Sequence, residues 1–343
     1  MNRMPLKAPQ LVLCRNESVS AGLRRIVDEL IKSAIACIKE PSRDREEDLH
    51  QVRLAIKKLR AIQRLLRPLV SKTFFKRENA RLRSAARRLA RLRDLAVARR
   101  TLEQVTDKLA SHSQDAAVQE VFESFLAQTP ASSRYDEDRE TALQLAARAL
   151  TQTRRAFRAL PLPDRGWKTI EPGLKKLYRQ NRMWMKCALS SDKDEDFHEW
   201  RKHVKYYFYL LKMLTPMWPS RLGKTVKHLD CLQDKLGKDH DLVVLKSFLV
   251  KHLSNPKKRT PVGQIIQYLE KRSAKFRKQS VALGKILFDG KPGDWMKALR
   301  KRWEDWQSCA KVRGNLARGA SARSPSAAGL GTRHRPSVEA AGG

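Results

Sequence analysis

Six basic side chains recur at helical spacing within one short stretch: His50, Arg53, Lys57, Arg60, Arg64 and Arg67. On a helix turning about 100° per residue they fall within an arc about 100° wide. Val52, Ile56, Leu59, Ile62 and Leu66 occupy the adjoining arc. One face therefore packs while its neighbour displays a column of positive charge. Like charges at i,i+3 and i,i+4 destabilise a helix standing alone. An anionic ligand that neutralises the column removes that penalty. Arginine grips paired phosphate oxygens with a planar fork, and lysine adds a mobile point charge. The chemistry indicated is binding of a polyanion.

The stretch recurs 148 residues later. Asp48-Leu49-His50-Gln51-Val52-Arg53 matches Asp196-Phe197-His198-Glu199-Trp200-Arg201, Lys57 pairs with Lys205, and Arg64 with Lys212. His198, Arg201, Lys205 and Lys212 keep the equivalent arc. Phe208 stands where Arg60 stood, Thr215 replaces Arg67, and the apolar arc turns aromatic with Phe197, Trp200 and Tyr207. This less basic copy is expected to grip an anion more weakly. A second stripe follows in each copy. Arg77, Arg81, Arg88 and Arg91 pair, at an offset of 147, with Lys224, His228, Lys235 and Lys238. Arg83 and Arg87 pair with Asp230 and Asp234, and this reversal of charge predicts that they face away from the ligand.

A basic run on one helix usually marks only a solvated face. Four stripes in register across a duplication, in a chain of 343 residues and net charge +36, argue for a polyanionic partner. The paired histidines fit two roles evenly, a direct anion contact or a hydrogen bond inside the bundle. Near a polyanion a histidine pKa of about 6.5 would rise, so affinity is expected to increase between about pH 8 and pH 6.

The elements that carry these stripes are helices almost throughout. Apolar periodicity predicts them near 18–40, 45–69, 73–92, 94–110, 115–128 and 136–159. After a break at 161–166 they resume near 167–189, 193–214, 220–236, 239–253, 262–288 and 293–310. Asp94 and Asp241 are candidate N-caps of the helices that follow them. The expected organisation is a lead-in over 1–17, one helical bundle over 18–160, a second over 161–310, and a disordered basic tail over 311–343. The fold class is all-α: two similar bundles related by a pseudo-twofold axis, arising from the internal duplication.

Other chemistries find little support. The five cysteines form no CxxC pair, against a zinc ribbon or a dithiol redox motif. No Walker A loop or GxGxxG occurs. The acidic cluster Asp192, Asp194, Glu195 and Asp196 fits a helix N-terminus better than a metal site. Neither catalytic residues, nor a metal, nor a cofactor is expected. With no long apolar run and no signal-type leader, the expectation is a soluble cytoplasmic protein without membrane attachment. Nucleic acid is the rival partner, although aromatics are only 7% and mostly at apolar helix positions, with no stacking module apparent.

The motif His50-x-x-Arg53-x-x-x-Lys57-Lys58-x-Arg60, with Leu89 and Arg93-Asp94-Leu95-Ala96-Val97, resembles the CHAD domain, the conserved histidine α-helical domain. His198-x-x-Arg201-x-x-x-Lys205, with Leu236-Gly237 and Asp241-Leu-Val-Val244, resembles its second half. The resemblance spans roughly 18–310, which would together form one domain. It implies two four-helix bundles about a pseudo-twofold axis, with basic residues lining the surface and a small pore. It also implies binding of inorganic polyphosphate, in several members at polyphosphate granules. The implied contacts are His50, Arg53, Lys57, Lys58 and Arg60, then His198, Arg201 and Lys205. Tyr206 and Phe208 depart from the family pattern, where Lys and Arg are typical, and His240 stands where Arg usually precedes the Asp. The Glu-x-Glu-x-Lys motif of fused triphosphate-tunnel domains is absent, so their catalysis is not implied.

Overall fold

A computed structural model describes residues 11–110, 132–252 and 261–321. Side chains are described there except at 91–99, 106–110, 132–136, 252, 261 and 309–321. Helix α1 (Val19–Lys39) starts at Ser18, whose hydroxyl accepts from the Ala21 N–H. Helix α2 (Arg45–Leu65) starts at Asp44, whose carboxylate accepts from the N–H groups of Glu46 and Glu47. Glu46, Glu47 and Asp48 then sit in its first turn, where the helix end is positive. There follow α3 (Lys72–Ala110), α4 (Ser132–Ala159), α5 (Trp167–Ser191) and α6 (Asp194–Leu214). A 3-10 turn (Thr215–Met217) leads to α7 (Pro219–His252), α8 (Pro261–Phe288) and α9 (Pro292–Ser321). No strand occurs among the described residues.

Two expected breaks do not occur. Helices α3 and α7 run straight through Asp94 and Asp241, which are interior residues and not caps. From Leu89 to Ala98 the chain holds no glycine or proline to halt a helix. Gly237 weakens α7 by about 1 kcal/mol relative to alanine, but burial of Leu236, Asp239 and Leu242 anchors the helix on both sides of it. The helix expected at 115–128 lies outside the described residues. The lead-in is not loose over 11–17: Leu13 is buried and its N–H donates to the Met213 carbonyl at 3.0 Å. At the other end α9 continues to Ser321, so the tail begins as helix, in keeping with its Ala, Leu and Arg content.

The first four helices pack in sequence, α1 on α2, α2 on α3, α3 on α4, with α4 returning to α1. Helices α5 to α8 do the same, and α9 lies against α5. The two bundles meet where α2 packs on α6 and α5, and where α3 packs on α7. Close approach fixes the geometry at two glycines. A Cβ on Gly284 of α8 would stand 2.5 Å from the ring of the fully buried Trp200. A Cβ on Gly173 would stand 1.9 Å from the Leu65 carbonyl oxygen, where α5 touches the end of α2.

Candidate polyanion-binding site

The four helices that carry the stripes, α2, α3, α6 and α7, all reach the seam between the bundles. On α2, Arg53, Lys57, Arg60 and Arg64 are half-buried along the side next to the apolar face, and His50 is exposed. The Arg64 guanidinium lies 4.0 Å over the Tyr206 ring of α6, with Arg60 5.9 Å over the same ring. Arg64 also donates to Asn79 Oδ1 at 3.3 Å. Burial lowers the Arg64 pKa most; Arg60 and Arg83 lower it further, while Tyr206 and Glu199 oppose them.

Arg83 is exposed, yet it lies within electrostatic reach of Arg64. Its reversed partner Asp230 lines a cavity that also holds Lys58 and Lys212. Each charge therefore suits its own surroundings, which two aligned positions alone could not reveal. Tyr206 is no gap in the basic pattern. It is a floor for two arginines from the other bundle, each such contact being worth about 0.5–2 kcal/mol. The available signal was an aromatic residue at the seam position of a stripe helix.

On α6, Arg201 and Lys205 are half-buried beside His198. His198 Nδ1 lies 3.3 Å from His240 Nδ1 on α7. One nitrogen must donate and the other accept, so the pair can take up one further proton but not two without losing this bond. Burial pushes the His198 pKa below its ordinary value, and Lys202 and Arg201 push it further down. His203, absent from the sequence reading, has the structural role: its Nδ1 meets the Glu199 carbonyl at 2.9 Å and its ring stacks on Trp184. Lys202 pairs with Glu199 between these groups.

The second stripes are less uniform. Arg81 binds both oxygens of the fully buried Glu78 at 2.5 Å, and Arg77 binds it at 3.1 Å. These two arginines thus neutralise a carboxylate that the stripe pattern did not flag. Arg88, Lys224, His228 and Lys238 are exposed, with Lys238 paired to Asp234 at 2.9 Å. Lys235 lies 5.8 Å over Phe276. The Arg91 side chain lies outside those described. Lys58 and Lys212 turn away from the Arg64 cluster into the cavity lined by Asp230.

The acidic cluster does form a helix start, with Asp194, Glu195 and Asp196 in the first turn of α6. Arg277 of α8 clamps it, binding Asp192 at 3.3 Å, Asp194, and the buried Asp239 at 3.1 Å. Among the described residues no group of three His, Cys, Asp or Glu could hold a metal ion. No described helix is long and apolar enough to cross a membrane.

The CHAD domain family model matches residues 23–250. No curated protein sequence matches the chain. Among solved structures, the CHAD domain from the plant Ricinus communis is similar at TM-score 0.60 and 17% identity, covering 84% of this chain and 98% of that one. With the all-helical architecture, the match over most of its length establishes that this chain belongs to the CHAD domain family.

Proposed function

We propose that the chain binds inorganic polyphosphate along the seam between its bundles, without turning it over, and does so in the cytoplasm at polyphosphate granules. One observation carries the reading: side chains chosen by stripe geometry gather there from separate helices. Arg60 and Arg64 of α2 lie over Tyr206 of α6, and on α6 Arg201 and Lys205 act on His198; Arg83, outside the stripes, also reaches Arg64 electrostatically. A flexible chain of phosphoryl groups without bases requires a row of donors and little else. Release of condensed counterions supplies much of the affinity, as it does for nucleic acids.

The test is competition. Labelled polyphosphate of defined length is bound at physiological salt and challenged with RNA of equal phosphate concentration. RNA is expected to displace it poorly. Displacement by RNA at equal or lower phosphate concentration would make nucleic acid the ligand.

The histidine pair adds a pH signature. An anion raises the pKa of His198 from its depressed value in the free chain, so binding takes up a proton. Affinity therefore rises as pH falls through the interval between the bound pKa, which the anion raises, and the free one, which burial, Lys202 and Arg201 hold below its ordinary value. Calorimetric titrations at pH 5.5, 6.5 and 7.5 read this directly. Replacing His198 with Gln is expected to flatten the profile, and an unchanged profile would assign the proton elsewhere.

A further inference from the structure

A second pocket opens on the opposite side of α2 from the Arg64 cluster. It is a cavity of about 680 Å³ between α1, α2, α6 and α7, closed on one side by Leu11 and Val12. This is within the range of about 300–1,000 Å³ typical of small-molecule sites. Its walls are apolar, with Ile26, Leu30, Leu54, Phe208 and Met213 among them, yet Lys58 and Lys212 also line it. Burial lowers the Lys58 pKa, and the charge of Lys212 lowers it further. Among the described residues neither amine pairs with a carboxylate. Asp230 at the rim takes a hydrogen bond from Gln233 instead.

The duplicated sequence indicates why the space is there. The offset of 148 converts Arg64, Tyr206, His203 and Glu199 into Lys212, Lys58, Ala55 and Gln51, and the offset of 147 converts Arg83 into Asp230. The first set forms the filled cluster at the seam, and every member of the second lines the cavity. Where Tyr206 and His203 fill one side, the slimmer Lys58 and Ala55 leave the other hollow.

We infer that this cavity binds an amphiphilic anion: an apolar body of about ten carbons against the walls, with one carboxylate or phosphate head between Lys58 and Lys212. Polyphosphate has no apolar part and cannot use those walls. The inference therefore stands independently of the seam, and its outcome is read by a different variable, tail length. Each methylene buried is worth about a fourfold gain in affinity.

The experiment titrates the full chain calorimetrically with hexyl, octyl and decyl phosphate, and with decanoate, all below their micellar concentrations. Affinity is expected to climb about fourfold per methylene. Decyltrimethylammonium, with the same tail and the opposite charge, is expected to bind at least about tenfold more weakly. Replacing Ala55 with Phe fills the cavity and is expected to abolish decyl phosphate binding. Lys58→Gln with Lys212→Gln keeps the cavity and is expected to retain tail-length dependence while losing the preference for an anionic head, so the idea remains testable if the filled variant does not fold. Decyl phosphate binding no tighter than inorganic phosphate would overturn the inference. So would equal binding of the cationic amphiphile, or undiminished binding by a filled variant that still melts cooperatively.

Discussion

Replacing Arg53, Lys57 and Arg60 together with alanine is expected to lower polyphosphate affinity about a hundredfold near physiological salt. Charge-assisted hydrogen bonds are worth about 1.5–3 kcal/mol each when sheltered. These three side chains are only half-buried, so screening trims each contribution to about 1 kcal/mol. Three such losses sum to about two powers of ten. The comparison variant removes the same number of charges from Lys291, Lys297 and Lys301, which are exposed and lie in or beside α9, away from the seam. It is expected to lose less than about fivefold through bulk charge alone. Calorimetric or filter-binding titration of both variants decides it, and equal losses would show that total charge, not the stripe, holds the ligand.

The largest effect on stability is expected at Gly173. A Cβ there would fall 1.9 Å from the Leu65 carbonyl oxygen, and 2.6 and 2.8 Å from the neighbouring backbone carbons. Backbone cannot swing aside as a flexible side chain can, so α5 must separate from the end of α2. Overpacking costs about 1–3 kcal/mol and occasionally more, and this contact belongs at the upper end. Gly173→Ala is therefore expected to lose about 3 kcal/mol and about 6 °C or more in Tm. Gly223 makes the control, since it lies in α7 with open space around its Cβ position. Gly223→Ala is expected to be neutral or to gain up to about 1 kcal/mol. Differential scanning calorimetry separates the two. An unchanged Tm for Gly173→Ala would mean that the bundles are not pressed together at that point. Because Leu65 ends the helix carrying Arg53, Arg60 and Arg64, the same variant also tests whether the seam positions them.

Much of this arrangement was legible in the sequence because helices report their faces through period. The arc of Val52, Ile56, Leu59 and Ile62 is buried, and the adjoining arc of Arg53, Lys57, Arg60 and Arg64 is half-buried beside it. Helices α1 and α2 begin within a residue of where apolar period places them, at Val19 and Arg45. Period says nothing, however, about which helix lies opposite. Tyr206 as a floor for Arg64, the reach of Arg83 to the same cluster, and the meeting of His198 with His240 all join different helices. Glu78 was overlooked because a lone acid in a basic stripe looks like noise until its burial is known. Asp94 and Asp241 have side chains able to cap, yet α3 and α7 continue through them. A cap is needed only where backbone N–H groups are left unpaired, and in a continuous helix they are not.

The most direct test of seam binding is a titration with polyphosphate of defined length across a salt series from about 50 to 300 mM. The logarithm of the binding constant is predicted to fall linearly with the logarithm of salt, with a slope of about −0.7 per phosphate neutralised, by analogy with single-stranded nucleic acid. The Arg53, Lys57 and Arg60 triple variant is predicted to shallow that slope by about 2. Absent binding, or a binding constant indifferent to salt, would contradict it.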